Sequence, residues 1–307
     1  MNEGRYREAE SAFWASLGVE PSERFVDLPS TGTPVRVLEV GEGPPTVFVH
    51  GATAGATSWA TLAAALPERR CILIDRPGVA LSPVPPPMTE FDQFDAAARR
   101  LVPEVLDGLD VEQADLVVTS LGASIGFRSV AAAPERVRRI VALGYCFGAP
   151  ATDWPLMMRM TAMRRLGKVM SRIPPSKAMV RSMLGQLGLK EAIAEGRFSA
   201  EAIAWFQALL RDTDTMRNEI TIYPPMIDLR TGLVAEAEIP QTVIDAVSHP
   251  VQFVWGTADP FGGADVADRF TARFADADLH LIEGAGHAPW MDDGPRCADL
   301  LRSHLHT

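Results

Sequence analysis

Leu116-Val117-Val118-Thr119-Ser120-Leu121-Gly122-Ala123-Ser124 is the stretch on which the reading of this chain turns. A β-branched apolar run ends at Ser120, and a helical pattern begins at the next residue. A serine on so sharp a strand-to-helix turn is lifted above the sheet. The turn also sets the next backbone N–H, that of Leu121, where charge develops on a carbonyl oxygen under attack. Gly122 and Ala123 are small enough for the helix to pack close to the strand. The usual pattern for such a turn is G-x-S-x-G, and Val118 stands where its first glycine would be. The stretch alone also permits a plainer reading, in which Thr119 and Ser120 only cap the helix.

Working outward, short apolar runs alternate with longer helical patterns, which is the rhythm of a mostly parallel sheet covered by helices. Strands are expected near 24–28, 35–40, 46–50, 70–75, 115–119, 139–143, 251–255 and 279–282. The first two are close together and polar-flanked, as an edge hairpin would be. The third to fifth are continuous apolar runs, as in strands buried on both faces. Helices are expected over 4–17, 58–66, 89–109 with Pro103 as a kink, 121–132, 264–274 and 294–304. Pro83-Val84-Pro85-Pro86-Pro87 reads as a stiff loop. From 149 to 241 the rhythm stops, and helix follows helix without a convincing strand. There Thr152 or Asp153 can cap a helix with Pro155 in its first turn, and Ser199 can cap another running to Leu210.

A serine nucleophile needs a base, and the base needs an orienting carboxylate. Of the 6 histidines, His304 and His306 sit on the tail, His249 and His280 lie before or within a strand, and His50 ends the third strand. Only His287, in Gly284-Ala285-Gly286-His287-Ala288-Pro289-Trp290, follows a late strand in a loop of small residues. The acid candidate is Asp259, from Trp255-Gly256-Thr257-Ala258-Asp259-Pro260, just beyond the seventh strand. The loop after the sixth strand, Gly144-Tyr145-Cys146-Phe147-Gly148, offers no acid. The order Ser120, Asp259, His287 brings three roles to the carboxyl ends of successive strands, where open α/β sheets place their sites. The second oxyanion donor is expected from the loop His50-Gly51-Ala52-Thr53, at the Ala52 N–H. His50 itself is read as a brace for that loop.

Composition narrows the class. The 307 residues are 47% apolar and 22% charged with a net charge of −10, which fits a globular chain and argues against nucleic acid as a partner. No apolar run reaches the length of a membrane span, and Met1–Glu10 lacks the basic-then-apolar order of a secretory signal. Cys71, Cys146 and Cys297 are few, odd in number and scattered, which points to a reducing, cytoplasmic setting without a zinc site. No nucleotide-binding glycine motif is present, and no metal or cofactor is expected.

Taken together these residues resemble the α/β-hydrolase fold family. The likeness rests on His50-Gly51 with Trp59 behind it, Asp75-Arg76-Pro77-Gly78 with Leu81-Ser82, the Ser120 turn, Pro134-Glu135-Arg136-Val137, Trp255-Gly256 with Asp259-Pro260, and Gly284 to His287. It runs from about Glu23 to Leu305. The resemblance implies an eight-stranded mostly parallel sheet flanked by helices, with 1–148 and 242–307 as the core domain and 149–241 as a helical cap. Branches of the family that open epoxides or displace halide use Asp at the turn. Ser120 implies acyl chemistry instead, or cleavage of an activated C–C bond by the same triad.

The insertion speaks to substrate. Residues 155–190 contain no Asp or Glu and hold seven of the 12 methionines. On a helical projection from Leu156, Arg164, Arg165, Lys168 and Arg172 share one face, and Leu156, Met160, Met163 and Leu166 the other. One reading is an ordinary amphipathic helix with a solvated basic face. The other is an adaptable apolar roof over a small lipophilic substrate, to which Met157, Met160, Met163 and Trp205 contribute. Arg159 projects onto the apolar side, where it either holds a substrate carboxylate or snorkels outward. The expected products of this site are those of ester or lactone hydrolysis; acyl transfer, C–C hydrolysis and a non-catalytic binding role remain as alternatives.

Overall fold

The computed structural model describes residues 1–151, 169, 171–222, 226–228 and 232–306. The alternation of apolar residues builds one sheet with two apolar faces. In β3 (Pro45–Val49), Val47 and Val49 face one helical layer and Phe48 the other. In β5 (Ala114–Ser120), Leu116 and Val118 lie opposite Val117 in the same way, and all of these side chains are buried. The sheet is completed by β1 (Ser22–Leu28), β2 (Thr33–Val40), β4 (Arg70–Ile74), β6 (Val137–Cys146), β7 (Val251–Gly256) and β8 (Ala277–Ile282). Its order is β1-β2-β4-β3-β5-β6-β7-β8. The hairpin β1–β2 and the β2–β4 pair are antiparallel, and the remaining pairs are parallel. The sixth strand runs to Cys146, beyond the Leu143 end expected from the sequence, because Gly144 takes φ +70° and lets Cys146 pair beside Ser120.

Helix α3 (Phe91–Gly108) continues through Pro103 and packs with α4 (Leu121–Ala132) on one face. The other face carries α1 (Glu3–Ser16), α2 (Ala60–Ala64) and the last helix, Gly294–Leu305. In α1, Tyr6, Glu10, Phe13 and Trp14 fall on one face and are all buried. The Asn2 side chain accepts from the Arg5 N–H and caps the helix. Trp14 Nε1 donates to Thr57 Oγ1 at 3.0 Å, fixing α1 to the turn after β3.

Between β6 and β7 the described residues form α5 (Lys177–Leu184), a wide turn over Gly185–Leu189, a short helix Lys190–Ala194, α6 (Ala200–Asp212) and α7 (Thr215–Ile222). Ser199 caps α6, its Oγ accepting from the Ala202 N–H at 3.0 Å. One two-residue strand pair, Ile227–Asp228 with Gly232–Leu233, departs from the all-helical expectation. Trp205 Nε1 of α6 donates to the Tyr6 hydroxyl at 3.3 Å, so α1 touches both the sheet side and the inserted helices. Among the described residues no helix is long and apolar enough to cross a membrane.

Candidate active site

Ser120 ends β5 and precedes the first residue of α4 with φ +50° and ψ −125°. A non-glycine residue pays a steric cost there, and the surroundings must hold it. They do so through close contacts that only glycine allows. A Cβ on Gly122 would lie 2.1 Å from the Val49 carbonyl oxygen, and one on Gly51 would lie 2.8 Å from Ser120 Cβ. The departure at Val118 is answered one turn further along α4. A Cβ on Gly126 would meet Val118 Cγ1 at 2.6 Å. The space that a glycine at 118 would free on the strand is thus freed on the helix, and β5 and α4 still pack closely.

His287 Nδ1 lies 3.0 Å from Asp259 Oδ2, and both residues are buried. Asp259 Oδ2 also accepts the Tyr145 N–H at 2.9 Å, and Oδ1 accepts the Phe261 N–H at 3.0 Å. A carboxylate with two backbone donors is fixed in orientation. It fixes the imidazole in turn: Nδ1–H donates to Asp259, which leaves Nε2 as the acceptor. The Phe261 ring covers the imidazole at 4.8 Å between centroids. The loop that carries His287 is held from the insertion as well. The His287 N–H donates to the Leu187 carbonyl at 2.8 Å. Gly188, at φ +85°, and Gly286 meet there so closely that a Cβ on Gly188 would lie 2.6 Å from Gly286 Cα.

The loop after β3 brings Gly51 and Ala52 to the same cavity as Ser120 and His287. His50 is wholly buried and neutral: burial, and then the Arg76 charge, push its pKa well below the usual value. Its Nδ1 donates to the Gly51 carbonyl at 2.7 Å and its Nε2 accepts the Arg76 N–H at 3.1 Å, the part of a brace. The Arg76 guanidinium donates to the His50 and Gly51 carbonyls at 3.1 and 2.9 Å. Its Nη2 also donates to Glu219 Oε1 at 2.7 Å. Glu219 Oε2 accepts the Thr53 N–H at 3.2 Å, and Thr53 holds φ +49°. A buried ion pair that reaches from α7 therefore sets the conformation of the loop. No partner for the Ala52 N–H occurs among the described residues, and the Leu121 N–H, first in α4, has none within its helix.

A model of the alpha/beta hydrolase family matches residues 46–300. The chain belongs to the alpha/beta hydrolase family. It is 28% identical over 294 residues to 2-hydroxymuconate semialdehyde hydrolase of Pseudomonas sp. (strain CF600), a match covering 91% of this chain and 93% of that one. In fold it is similar to 2-hydroxy-6-oxo-6-phenylhexa-2,4-dienoate hydrolase from Rhodococcus sp. strain RHA1, with a TM-score of 0.74 and 19% identity over 94% of this chain and 100% of that one. The carboxylesterase CesB from Bacillus subtilis is similar too, with a TM-score of 0.72 and 16% identity over 99% and 98% of the two chains.

In this hydrolase the lining of the cavity at Ser120 includes side chains of the inserted segment, among them Met183 and Leu184 of α5 and Phe206 and Leu210 of α6. Met157, Arg159, Met160 and Met163, with the helix projected from Leu156, lie outside the described residues. Trp205 does not line the cavity at Ser120. Its indole is drawn toward α1 by the Tyr6 hydroxyl and by Phe13, with ring centroids 6.0 Å apart, and its neighbour Phe206 lines the cavity instead. The sequence reading missed Glu219, Arg76 and the Tyr145 N–H. Arg76 stood inside a motif, but nothing local marked Glu219, which lies 143 residues away along the chain.

Proposed function

We propose that this alpha/beta hydrolase cleaves a small-to-medium lipophilic carboxylic ester or lactone through an acyl-enzyme on Ser120. The observation that carries the reading is the wall of the cavity. None of the described residues lining it is Asp, Glu, Lys or Arg, and most are apolar. In this reading Ser120 Oγ attacks the carbonyl carbon as its proton passes to His287 Nε2. The tetrahedral oxyanion is met by the Ala52 and Leu121 N–H groups. Collapse breaks the acyl C–O bond, and His287 returns the proton to the departing alcohol. A water molecule then repeats the sequence on the acyl-enzyme and frees the acid. Asp259 orients the imidazole throughout. Residues 149–241 act as a helical cap over the core formed by 1–148 and 242–307, and exclude bulk water from the oxyanion donors. The site needs no cofactor.

A second reading is favoured by the likeness to 2-hydroxymuconate semialdehyde hydrolase and to the dienoate hydrolase, namely hydrolysis of a C–C bond beside a carbonyl. A dienoate substrate carries a carboxylate, and the described cavity wall offers no cation to meet it. Steady-state turnover of p-nitrophenyl esters from acetate to decanoate, measured beside a 2-hydroxy-6-oxo-dienoate, decides between the two. The ester reading expects turnover of esters rising with acyl length and little of the dienoate. The reverse ranking overturns it.

A further inference from the structure

Behind the cavity at Ser120 lies a second one, between α1 and α6, walled by Phe13 of α1, Leu17 just past its end and Trp205, with Arg197 and Asp292 also in its lining. The two cavities share four lining residues: Ser58, Phe206, Trp290 and Met291. The two cavities therefore meet at these four residues. Met291 is only partly buried, and an unbranched thioether moves aside at small cost. Ser58 is 4% exposed, and its Oγ has no hydrogen-bond partner among the described residues. Buried hydroxyls are nearly always bonded, so a donor left open at the junction marks a place for an acceptor. The backbone of Ser58 is already committed, its carbonyl accepting from Trp290 Nε1 at 3.1 Å, so its position is fixed.

We propose that the rear cavity is the second half of the substrate site. It receives the distal part of an elongated, mainly apolar acyl arm, and Ser58 Oγ donates to an ether or carbonyl oxygen carried partway along that arm. Phe206 and Met291 form the gate between the halves. The inference rests on the ester-hydrolase reading and narrows its substrate class. It also gives α1 a part in recognition, because Phe13 and Leu17 close the far end.

The test compares p-nitrophenyl acetate, p-nitrophenyl octanoate and octanoate analogues in which one chain methylene is replaced by oxygen. In the natural protein kcat/KM for octanoate should exceed that for acetate by more than tenfold, with one oxygen position preferred over the others. Ala202→Phe, which fills the rear cavity from α6, should lower the octanoate-to-acetate ratio at least tenfold. Should that variant fail to fold, Thr61→Phe at the exposed rim should lower the same ratio. Ser58→Ala should erase the preference among the oxygen-containing analogues and leave the octanoate-to-acetate ratio high. An unchanged ratio in a folded Ala202→Phe or Thr61→Phe protein overturns the rear cavity. An intact oxygen preference in Ser58→Ala overturns the role of the hydroxyl. Inactivation rates with octyl and ethyl fluorophosphonates read the cavity without ester turnover. Faster octyl labelling with no ester hydrolysis would defeat the ester reading and leave the rear cavity standing, whereas ester hydrolysis with equal labelling rates would do the opposite.

Discussion

The Ser120 side of the cleft and the loop that faces it are held in different ways. Ser120, Asp259 and the Tyr145 N–H belong to strand ends of one sheet, and their geometry is set by backbone packing within the core. The loop from Gly51 to Ser58 has no strand to fix it. Its first half is tied by Arg76 to Glu219, which comes from the inserted α7. Its second half is tied at the Ala56 N–H to Asp75, at 2.6 Å, from the end of β4. The proposed nucleophile and its orienting carboxylate are thus placed by the core, His287 is held in part by Leu187 of the inserted segment, and the proposed oxyanion donor at Ala52 depends on a residue far away in the chain. Losses on the first side should appear as chemistry alone, and losses on the second as chemistry coupled to stability.

The first side should break hardest. Ser120→Ala should lower kcat by about 10⁶, with the residue of activity coming from the oxyanion donors and binding. Thermal unfolding should be nearly unchanged, since a strained φ of +50° at Ser120 is no worse for alanine. Turnover within tenfold of the natural protein would remove Ser120 from the reaction. Asp259→Asn should cost about 10⁴ in kcat. An asparagine that keeps the Phe261 N–H bond at the Oδ1 position must place its NH₂ at the Oδ2 position, against the Tyr145 N–H and His287 Nδ1, which forces the wrong tautomer. Parallel kinetics on fresh, folded protein measure both.

The same contrast explains what could be read from the chain alone. The alternation in β3 and β5, the Ser120 turn and the Gly-rich loop at His287 are local patterns, and each sets its own backbone. The positions of the strands along the chain followed from them. Val118 looked like a defect in the turn because its compensation, Gly126, sits on the helix and is visible only once the two are packed. Trp205 and Phe206 are adjacent, so hydrophobicity alone could not say which faces the serine. That choice was made by Tyr6 on α1, 199 residues away in the chain. Glu219 was hidden for the same reason: a buried ion pair between distant segments leaves no local signature.

Glu219→Gln tests the second side. The carboxylate accepts on both oxygens, from Arg76 and from the Thr53 N–H. Glutamine can accept on one and must turn a donor toward the other. Breaking a buried ion pair from one side costs about 3–5 kcal/mol. The loop should then loosen, and kcat should fall about 10²-fold with KM within a few-fold, because misplacing a positioned group is felt in the transition state. Asp115→Asn is the control. It breaks the buried pair with Arg69 and Arg138 at the opposite end of β5, so it should lower stability by a comparable amount and leave kcat near that of the natural protein. A similar loss of kcat in both variants would reduce Glu219 to a structural residue.

The smallest effect is expected from Asp75, the anchor of the loop's second half. Its carboxyl is wholly buried. Burial pushes its pKa up from 3.8 to about 6, against the pull of Arg36 and with the help of Glu10. Because the folded value is the higher one, the native state keeps this proton between about pH 4 and 6 while the unfolded chain has lost it. The contribution to stability is therefore complete below pH 4 and is lost as pH rises through 6. Asparagine mimics the protonated form and has no such dependence. Urea unfolding at several pH values should show the natural protein losing about 2 kcal/mol relative to Asp75→Asn between pH 4 and 7. A loss in the opposite direction would mean that the bond to Arg36, at 3.1 Å, outweighs burial and holds the carboxylate charged. In either case the Ala56 N–H keeps an oxygen acceptor, so kcat should stay within about threefold. That outcome would separate this anchor from Glu219, whose replacement deprives either the Thr53 N–H or the Arg76 guanidinium of its carboxylate acceptor.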